Sequence, residues 1–105
     1  MSDPQIILAA TLLALCAGDA AADEPQHDRL ERLVRQDCGS CHGMRLSGGL
    51  GPDIRAAALA GRDNETLETI ILDGIPGTPM PPWRPLLSAA EAAWIVGYLR
   101  EVDRP

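Results

Sequence analysis

The chain has 105 residues, with nine basic residues, all arginine, against fifteen acidic ones, a net charge of −6. That length is enough for one domain, and the acidic balance argues against nucleic acid as a partner. Net charge does not locate a protein partner, because local patches steer docking.

Ile6 to Cys16 is an apolar run in the size range of a secretory signal core and too short to span a bilayer. Ala20-Ala21-Ala22 follows with small residues suited to cleavage. Residues 1–22 are therefore expected to be a signal peptide, cleaved near Ala22 on export to the periplasm, leaving 23–105 as the functional domain. Asp3 and the lack of Lys or Arg before the apolar run are unusual for a signal. Lipid attachment at Cys16 is a weaker reading, since Leu15 stands where a small residue is normal. Without Asp3 and Asp19, thirteen acidic residues face nine arginines, a charge of −4 on 83 residues. So short a chain is hard pressed to stabilise a core unaided.

Residues 23–27 are polar, contain Pro25, and are expected to fray. From Asp28 to Gln36 the apolar residues Leu30, Leu33 and Val34 recur at helical spacing. His27, at the start of this helix, is expected to be a solvated histidine. The helix delivers Cys38-Gly39-Ser40-Cys41-His42, the attachment pattern of a c-type haem. Each thiol can form a thioether with one haem vinyl, and two intervening residues match the separation of the vinyls. His42 then falls under the iron as the proximal ligand. A zinc site would want a second ligand pair, and beyond this motif residues 23–105 offer no cysteine and one further histidine, His27. A redox dithiol would want a βαβ context, which the sequence lacks. Haem attachment outside the cytoplasmic membrane agrees with export, and a covalent haem supplies the apolar mass that the short chain lacks.

A glycine-rich loop follows, with Gly43, Gly48, Gly49 and Gly51. Met44 is too close to His42 to reach the opposite iron face and is expected to be a packing residue. A proximal imidazole usually donates its second N–H to a backbone carbonyl. The Pro52 carbonyl is the candidate acceptor, with a plain turn proline as the equal alternative. Asp53–Ala60 is alanine-rich and predicts a short helix closed by Gly61. Asp63 or Asn64 caps the next helix, whose apolar face is Leu67, Ile70 and Ile71 and which Gly74 ends. Arg55 and Arg62 flank this region. Either could meet a haem propionate, although a solvated surface role is the expectation.

Pro76-Gly77-Thr78-Pro79-Met80-Pro81-Pro82-Trp83 cannot be helix or sheet, and its prolines stiffen it. Met80 sits at its centre, 38 residues beyond His42. A thioether ligates low-spin haem iron and raises its potential, and a rigid loop holds a weak ligand at small entropic cost. Met80 is thus the expected second axial ligand. Trp83 either packs on the haem or donates its indole N–H to a propionate, with packing preferred. Ser88-Ala89-Ala90-Glu91 is a capping box. The helix it starts is expected to reach about Val102, with Ala92, Ile95, Val96, Leu99 and Val102 on one face and Trp94 and Tyr98 a turn apart. Gly97 inside it predicts a close crossing with the first helix. No strand is expected.

The order of these features resembles a class I cytochrome c over nearly all of residues 23–105. The resemblance implies an all-α fold of small helices and loops around one covalently attached haem c. It further implies Cys38 and Cys41 as attachment points, His42 and Met80 as axial iron ligands, and the Pro52 carbonyl supporting His42. The family usually places the crossing glycine in the first helix, which also commonly carries an aromatic near Val34. The runs Cys38-Gly39-Ser40-Cys41-His42-Gly43-Met44, Gly48-Gly49-Leu50-Gly51-Pro52 and Pro76 to Trp83 are more narrowly similar to the short periplasmic cytochromes c encoded with the cytochrome cd-type dissimilatory nitrite reductase. That likeness implies a monomeric electron carrier, not an enzyme, that supplies a nitrite reductase in denitrification. The alternative is an electron acceptor for the enzymes that finish d-type haem. A haem enzyme or gas sensor would require Met80 to leave the iron.

Overall fold

The computed structural model of the protein describes residues 23–104, and the expected signal segment lies outside the described residues. Those residues form helices and loops, with no strand among them. The first helix, α1, spans Asp23–Leu33. It runs on through a π-helical stretch, Val34–Cys38, into a last α-helical turn, α2, Gly39–His42. In the π stretch the Gly39 N–H reaches the Val34 carbonyl, five residues back. Such wide turns are concentrated at functional sites, and this one immediately precedes the Cys-x-x-Cys-His turn. Residues 23–27 are helical, contrary to the expected fraying. The ring of His27 stacks on Trp94 with centroids 5.2 Å apart, a tertiary contact that local composition cannot reveal.

Three further helices follow: α3, Ala56–Leu59; α4, Asn64–Asp73; and α5, Ala89–Leu99. The predicted helix over 53–60 shrinks to the single turn α3. Asp53 is the reason, because its carboxylate accepts the Arg55 N–H at 2.9 Å. That local bond competes with the helix and leaves Arg55 extended. α4 starts where Asp63 accepts the Thr66 N–H at 2.9 Å. α5 starts with a reciprocal pair: Ser88 Oγ accepts the Glu91 N–H at 3.1 Å, and Glu91 Oε1 accepts the Ser88 N–H at 2.9 Å. It ends at Leu99, three residues short of the expected Val102. Beyond it the N–H groups of Glu101 and Val102 turn to the carbonyls of Tyr98 and Leu99, three residues back. The Val102 carbonyl accepts the Ala56 N–H at 3.1 Å, tying this end to α3.

One aliphatic core holds these elements together. Leu30 and Val34, one turn apart, are buried, as are Leu67 and Leu72 of α4 and Ala92, Ile95, Val96 and Leu99 of α5. Both α1 and α4 pack on α5, so the closing helix is the hub. Each fully buried leucine or valine contributes roughly 1.5–3 kcal/mol.

The crossing of α1 and α5 is made by aromatic and polar side chains, not by Gly97. Trp94 stacks on Tyr98 at 5.4 Å as well as on His27. The Tyr98 hydroxyl accepts from Arg35 Nε at 2.9 Å and donates to Glu31 Oε1 at 3.1 Å. Arg29 pairs with Glu91 across the same seam. Gly97 is exposed, and a Cβ built on it would meet nothing within 4 Å. Trp94 and Tyr98 face α1 while residues 92, 95, 96 and 99 face the core, which leaves position 97 on the remaining, solvated face.

The loop after α2 also differs from expectation. Met44, expected to be a packing residue, is 92% exposed, whereas Leu46 is fully buried. Gly43 has φ +95°, which turns the chain so that Met44 swings outward. Leu46, itself at φ +61°, then inserts into the core. Its N–H donates to the Gly43 carbonyl at 2.8 Å, and its carbonyl accepts the Ile54 N–H at 3.0 Å.

Candidate functional site

The Cys-x-x-Cys-His turn is helical, so Cys38 and Cys41 lie on one face and His42 follows within the same turn. The loop then folds back to cap the open carbonyls of that helix end. The Gly51 N–H donates to the Cys41 carbonyl and the Gly48 N–H to the His42 carbonyl, both at 2.7 Å. This brings the Pro52 carbonyl 2.7 Å from His42 Nδ1. A carbonyl only accepts, so Nδ1 carries the proton and the Nε2 lone pair is left for another partner. Gly51 makes the approach possible: a Cβ there would lie 2.8 Å from His42 Cε1 and 2.9 Å from Nδ1. Pro52, which has no N–H, contributes only its acceptor.

Beside this turn, Asp53 and Arg55 form a two-pronged pair, with Arg55 Nη2 donating to Asp53 Oδ2 at 2.8 Å and Nε to Oδ1 at 3.1 Å. These bonds hold the Asp53 carboxyl down at about 2. Arg55 also reaches Asp103 at 3.3 Å, so its guanidinium is committed to carboxylates of the chain.

The Met80 loop is fastened to the end of α4. Gly74, at φ +67° and ψ −169°, ends the helix. The N–H groups of Gly74, Trp83 and Arg84 take the carbonyls of Ile70, Ile71 and Leu72 at 2.9, 3.1 and 2.9 Å. These are carbonyls that the helix end leaves without partners. Within the loop, Ile75 N–H donates to the Met80 carbonyl at 3.3 Å, and Thr78 Oγ1 donates to the Ile75 carbonyl at 2.7 Å. Arg84 grips Asp73 with two bonds of 2.8 and 2.9 Å. The prolines stiffen what these bonds anchor.

Cys38, Cys41, His42 and Met80 all line one cavity of about 770 Å³. Its walls include Ile54, Leu59, Leu67, Ile70, Ile71, Ile95, Val96 and Leu99, together with Pro52 and Trp83. Ile70 and Ile71 are half-buried and line this cavity. A soft thioether, an imidazole with its Nε2 available and two thiols around a large apolar space suit a haem iron and its macrocycle. Cys38 does not suit the reactive thiol of a redox dithiol. Burial, reinforced by the Asp37 carboxylate, pushes the Cys38 thiol up to about 11, whereas a reactive dithiol needs a lowered value. Among the described residues no three His, Cys, Asp or Glu side chains are placed to hold a metal ion between them, and no helix is long and apolar enough to cross a membrane.

Every site residue expected from the sequence lies at this cavity. Gly74 is the functional position that sequence reasoning undervalued, because there it served only as a helix stop. A Cβ on it would lie 2.6 Å from the Met80 carbonyl and 2.8 Å from Pro81 C. Leu46 was missed altogether, since nothing local marks a leucine for a left-handed turn.

Comparison with known proteins gives a consistent picture. Residues 25–99 match the family described as "Cytochrome C oxidase, cbb3-type, subunit III". The chain is 59% identical to "Cytochrome c55X" of Paracoccus denitrificans (strain Pd 1222), over 90% of this chain and 94% of that one. It is 48% identical to "Cytochrome c55X" of Pseudomonas aeruginosa, covering 90% of this chain and 82% of that protein. Among solved structures it superimposes on "c-type cytochrome NirC" with a TM-score of 0.75 and 51% identity, covering 77% of this chain and 95% of that one. It also matches part of "Dihydro-heme d1 dehydrogenase NirN in complex with DHE", with a TM-score of 0.65 and 33% identity. That match covers 71% of this chain and 16% of the larger protein.

Proposed function

The chain belongs to the class I cytochrome c family, which carries a covalently bound c-type haem, and from that membership we propose a one-electron carrier with His42 and Met80 as its axial iron ligands. The observation that carries this reading is the shared cavity. It gathers both cysteines, an imidazole anchored through Nδ1 on Pro52, and a methionine on a stiff, hydrogen-bonded loop. The bound haem supplies the one-electron couple. Cys38 and Cys41 would hold it by thioethers. Pro52 fixes the His42 ring and raises its basicity. The Met80 loop holds the thioether in place without a large entropic cost, and the aliphatic walls exclude water. With His42 and Met80 both on the iron, no position would be left there for a substrate, and the chain would act as a carrier rather than an enzyme.

Residues 1–22 serve as the export signal and residues 23–105 as a monomeric haem domain in the periplasm. The physiological partner is a nitrite reductase of denitrification, a reading supported by the resemblance carried by the runs around Cys38, Gly51 and Met80. A second reading is favoured by the match to part of a dihydro-heme d1 dehydrogenase: the protein accepts electrons during the maturation of d-type haem. Rates of electron exchange with purified nitrite reductase and with d1-assembly enzymes separate the two.

The central test is the absorption spectrum of the exported holoprotein, reduced and oxidised, with and without pyridine. A thioether-linked, six-coordinate low-spin haem is expected. Carbon monoxide should leave the reduced protein unchanged, whereas Met80→Ala should bind it. Carbon monoxide binding by the unaltered protein, or none by Met80→Ala, overturns the assignment of Met80.

A further inference from the structure

A second concavity, of about 620 Å³, lies where the first helix, the loop after His42 and the end of α5 meet, and it shares no lining residue with the haem cavity. Its carboxylates are already engaged. Glu31 accepts from the Tyr98 hydroxyl at 3.1 Å, Glu101 pairs with Arg104 at 3.2 Å, and Asp103 pairs with Arg55 at 3.3 Å. Its two cations have no carboxylate partner among the described residues. Arg35 uses one of its five N–H donors, Nε, on the neutral Tyr98 hydroxyl at 2.9 Å. Arg45 is exposed and makes no side-chain ion pair among those residues.

An apolar group stands beside these cations. Met44 lines the same groove and is 92% exposed. Its outward direction is built into the backbone: Gly43 turns the chain at φ +95°, and Leu46, at φ +61°, anchors the loop in the core. A leucine adopts that left-handed region only at a cost, so the loop shows Met44 and Arg45 to solvent against its local preference. A flexible thioether adapts to many apolar surfaces, and a guanidinium takes a carboxylate by two parallel bonds. We propose that this groove docks an acidic segment of a partner protein, with its carboxylates on Arg35 and Arg45 and an apolar side chain on Met44. The charge of the groove, not the net charge of the chain, selects such a segment. A small inorganic anion would leave Met44 uncovered. A flat anionic lipid surface would bring its own charge against Glu31, Glu101 and Asp103, which line the groove as well. The inference goes beyond the haem reading, since a segment seated here occupies none of the residues of the haem cavity.

The test is an NMR titration of the reduced, isotope-labelled holoprotein with a short blocked peptide of alternating glutamate and leucine. Its glutamine analogue and inorganic phosphate are titrated in parallel. The acidic peptide should shift the Met44 methyl and the amides of Arg45 and Val102, and the glutamine analogue should not. Added salt should weaken the binding, because exposed charges are screened. Arg45→Gln should weaken it about fivefold, the size of one exposed charge pair, and Met44→Ser should weaken it as well. Arg32→Gln, which lies outside the groove, should leave it unchanged. Neither Arg45 nor Met44 supports the core, so both variants should keep the wild-type amide spectrum elsewhere. The proposal is overturned by shifts that are absent, that the glutamine analogue reproduces, or that Arg45→Gln leaves unaltered. Equal shifts with phosphate alone would overturn it in favour of a free-anion site. Groove shifts that grow with protein concentration alone, together with a dimer in sedimentation, would overturn it in favour of a second copy of this chain.

Discussion

The same substitution at two glycines should have opposite effects, and the structure supplies the reason in each case. Gly97 lies within α5 on its solvated face, where an added Cβ meets nothing within 4 Å. Alanine there removes the helix cost of glycine, so Gly97→Ala should stabilise by about 0.5–1 kcal/mol. Gly74 is at φ +67° and ψ −169°, a region occupied almost solely by glycine, where another residue costs about 1–3 kcal/mol. Its Cβ would also sit 2.6 Å from the Met80 carbonyl and 2.9 Å from Pro82 N. Both neighbours are backbone within a proline-stiffened loop, so neither moves cheaply. Gly74→Ala should therefore destabilise by at least about 1–3 kcal/mol, and relief of the overlap must displace Met80. In a domain of this size each kcal/mol is worth about 4–8 °C in Tm, so thermal unfolding of the two holoproteins should move in opposite directions. Under the proposed Met80 ligation, the ferric methionine–iron absorption band gives the second readout: expected unchanged in Gly97→Ala, weakened or lost in Gly74→Ala. A Gly74→Ala protein with wild-type Tm and an intact band would refute the argument that this glycine seats the Met80 loop.

Gly51→Ala should push the His42 ring off the Pro52 carbonyl, since the new Cβ would lie 2.8 Å from Cε1. The lost bond is worth about 0.5–1.5 kcal/mol, and a less basic imidazole should alter the reduction potential, read by spectroelectrochemistry. Tyr98→Phe keeps the stack on Trp94 but removes the hydroxyl between Arg35 and Glu31, and should cost about 0.5–1.5 kcal/mol in denaturant unfolding. The Asp53 carboxyl, held down at about 2 by Arg55, is a depressed acid. Its stabilising contribution is present above the unfolded value, near 3.8, and is lost as pH falls toward 2. Carboxyl NMR of Asp53 should show a midpoint close to 2, and Arg55→Gln should return it toward the ordinary range.

The haem family and the candidate attachment and ligand positions were legible in the sequence because they are encoded in short, directional patterns. Cys38, Cys41 and His42 are within five residues, and Met80 stands alone among prolines. The capping box at Ser88 and the face formed by Ala92, Ile95, Val96 and Leu99 were equally readable, because helix periodicity and end chemistry are local properties. What the sequence left open depended on contacts between distant segments. The 2.7 Å approach of the Pro52 carbonyl to His42 and the commitment of Arg55 to Asp103 are both of this kind. So is the α1–α5 seam of His27, Trp94 and Tyr98, which the sequence assigned to Gly97 instead. A pattern of residue types constrains which side chains share a face, but only packing decides which face meets which neighbour. For the same reason the loop after His42 buried Leu46 and exposed Met44: a single positive φ at Gly43 reverses the direction of the side chains that follow, and nothing local announces it.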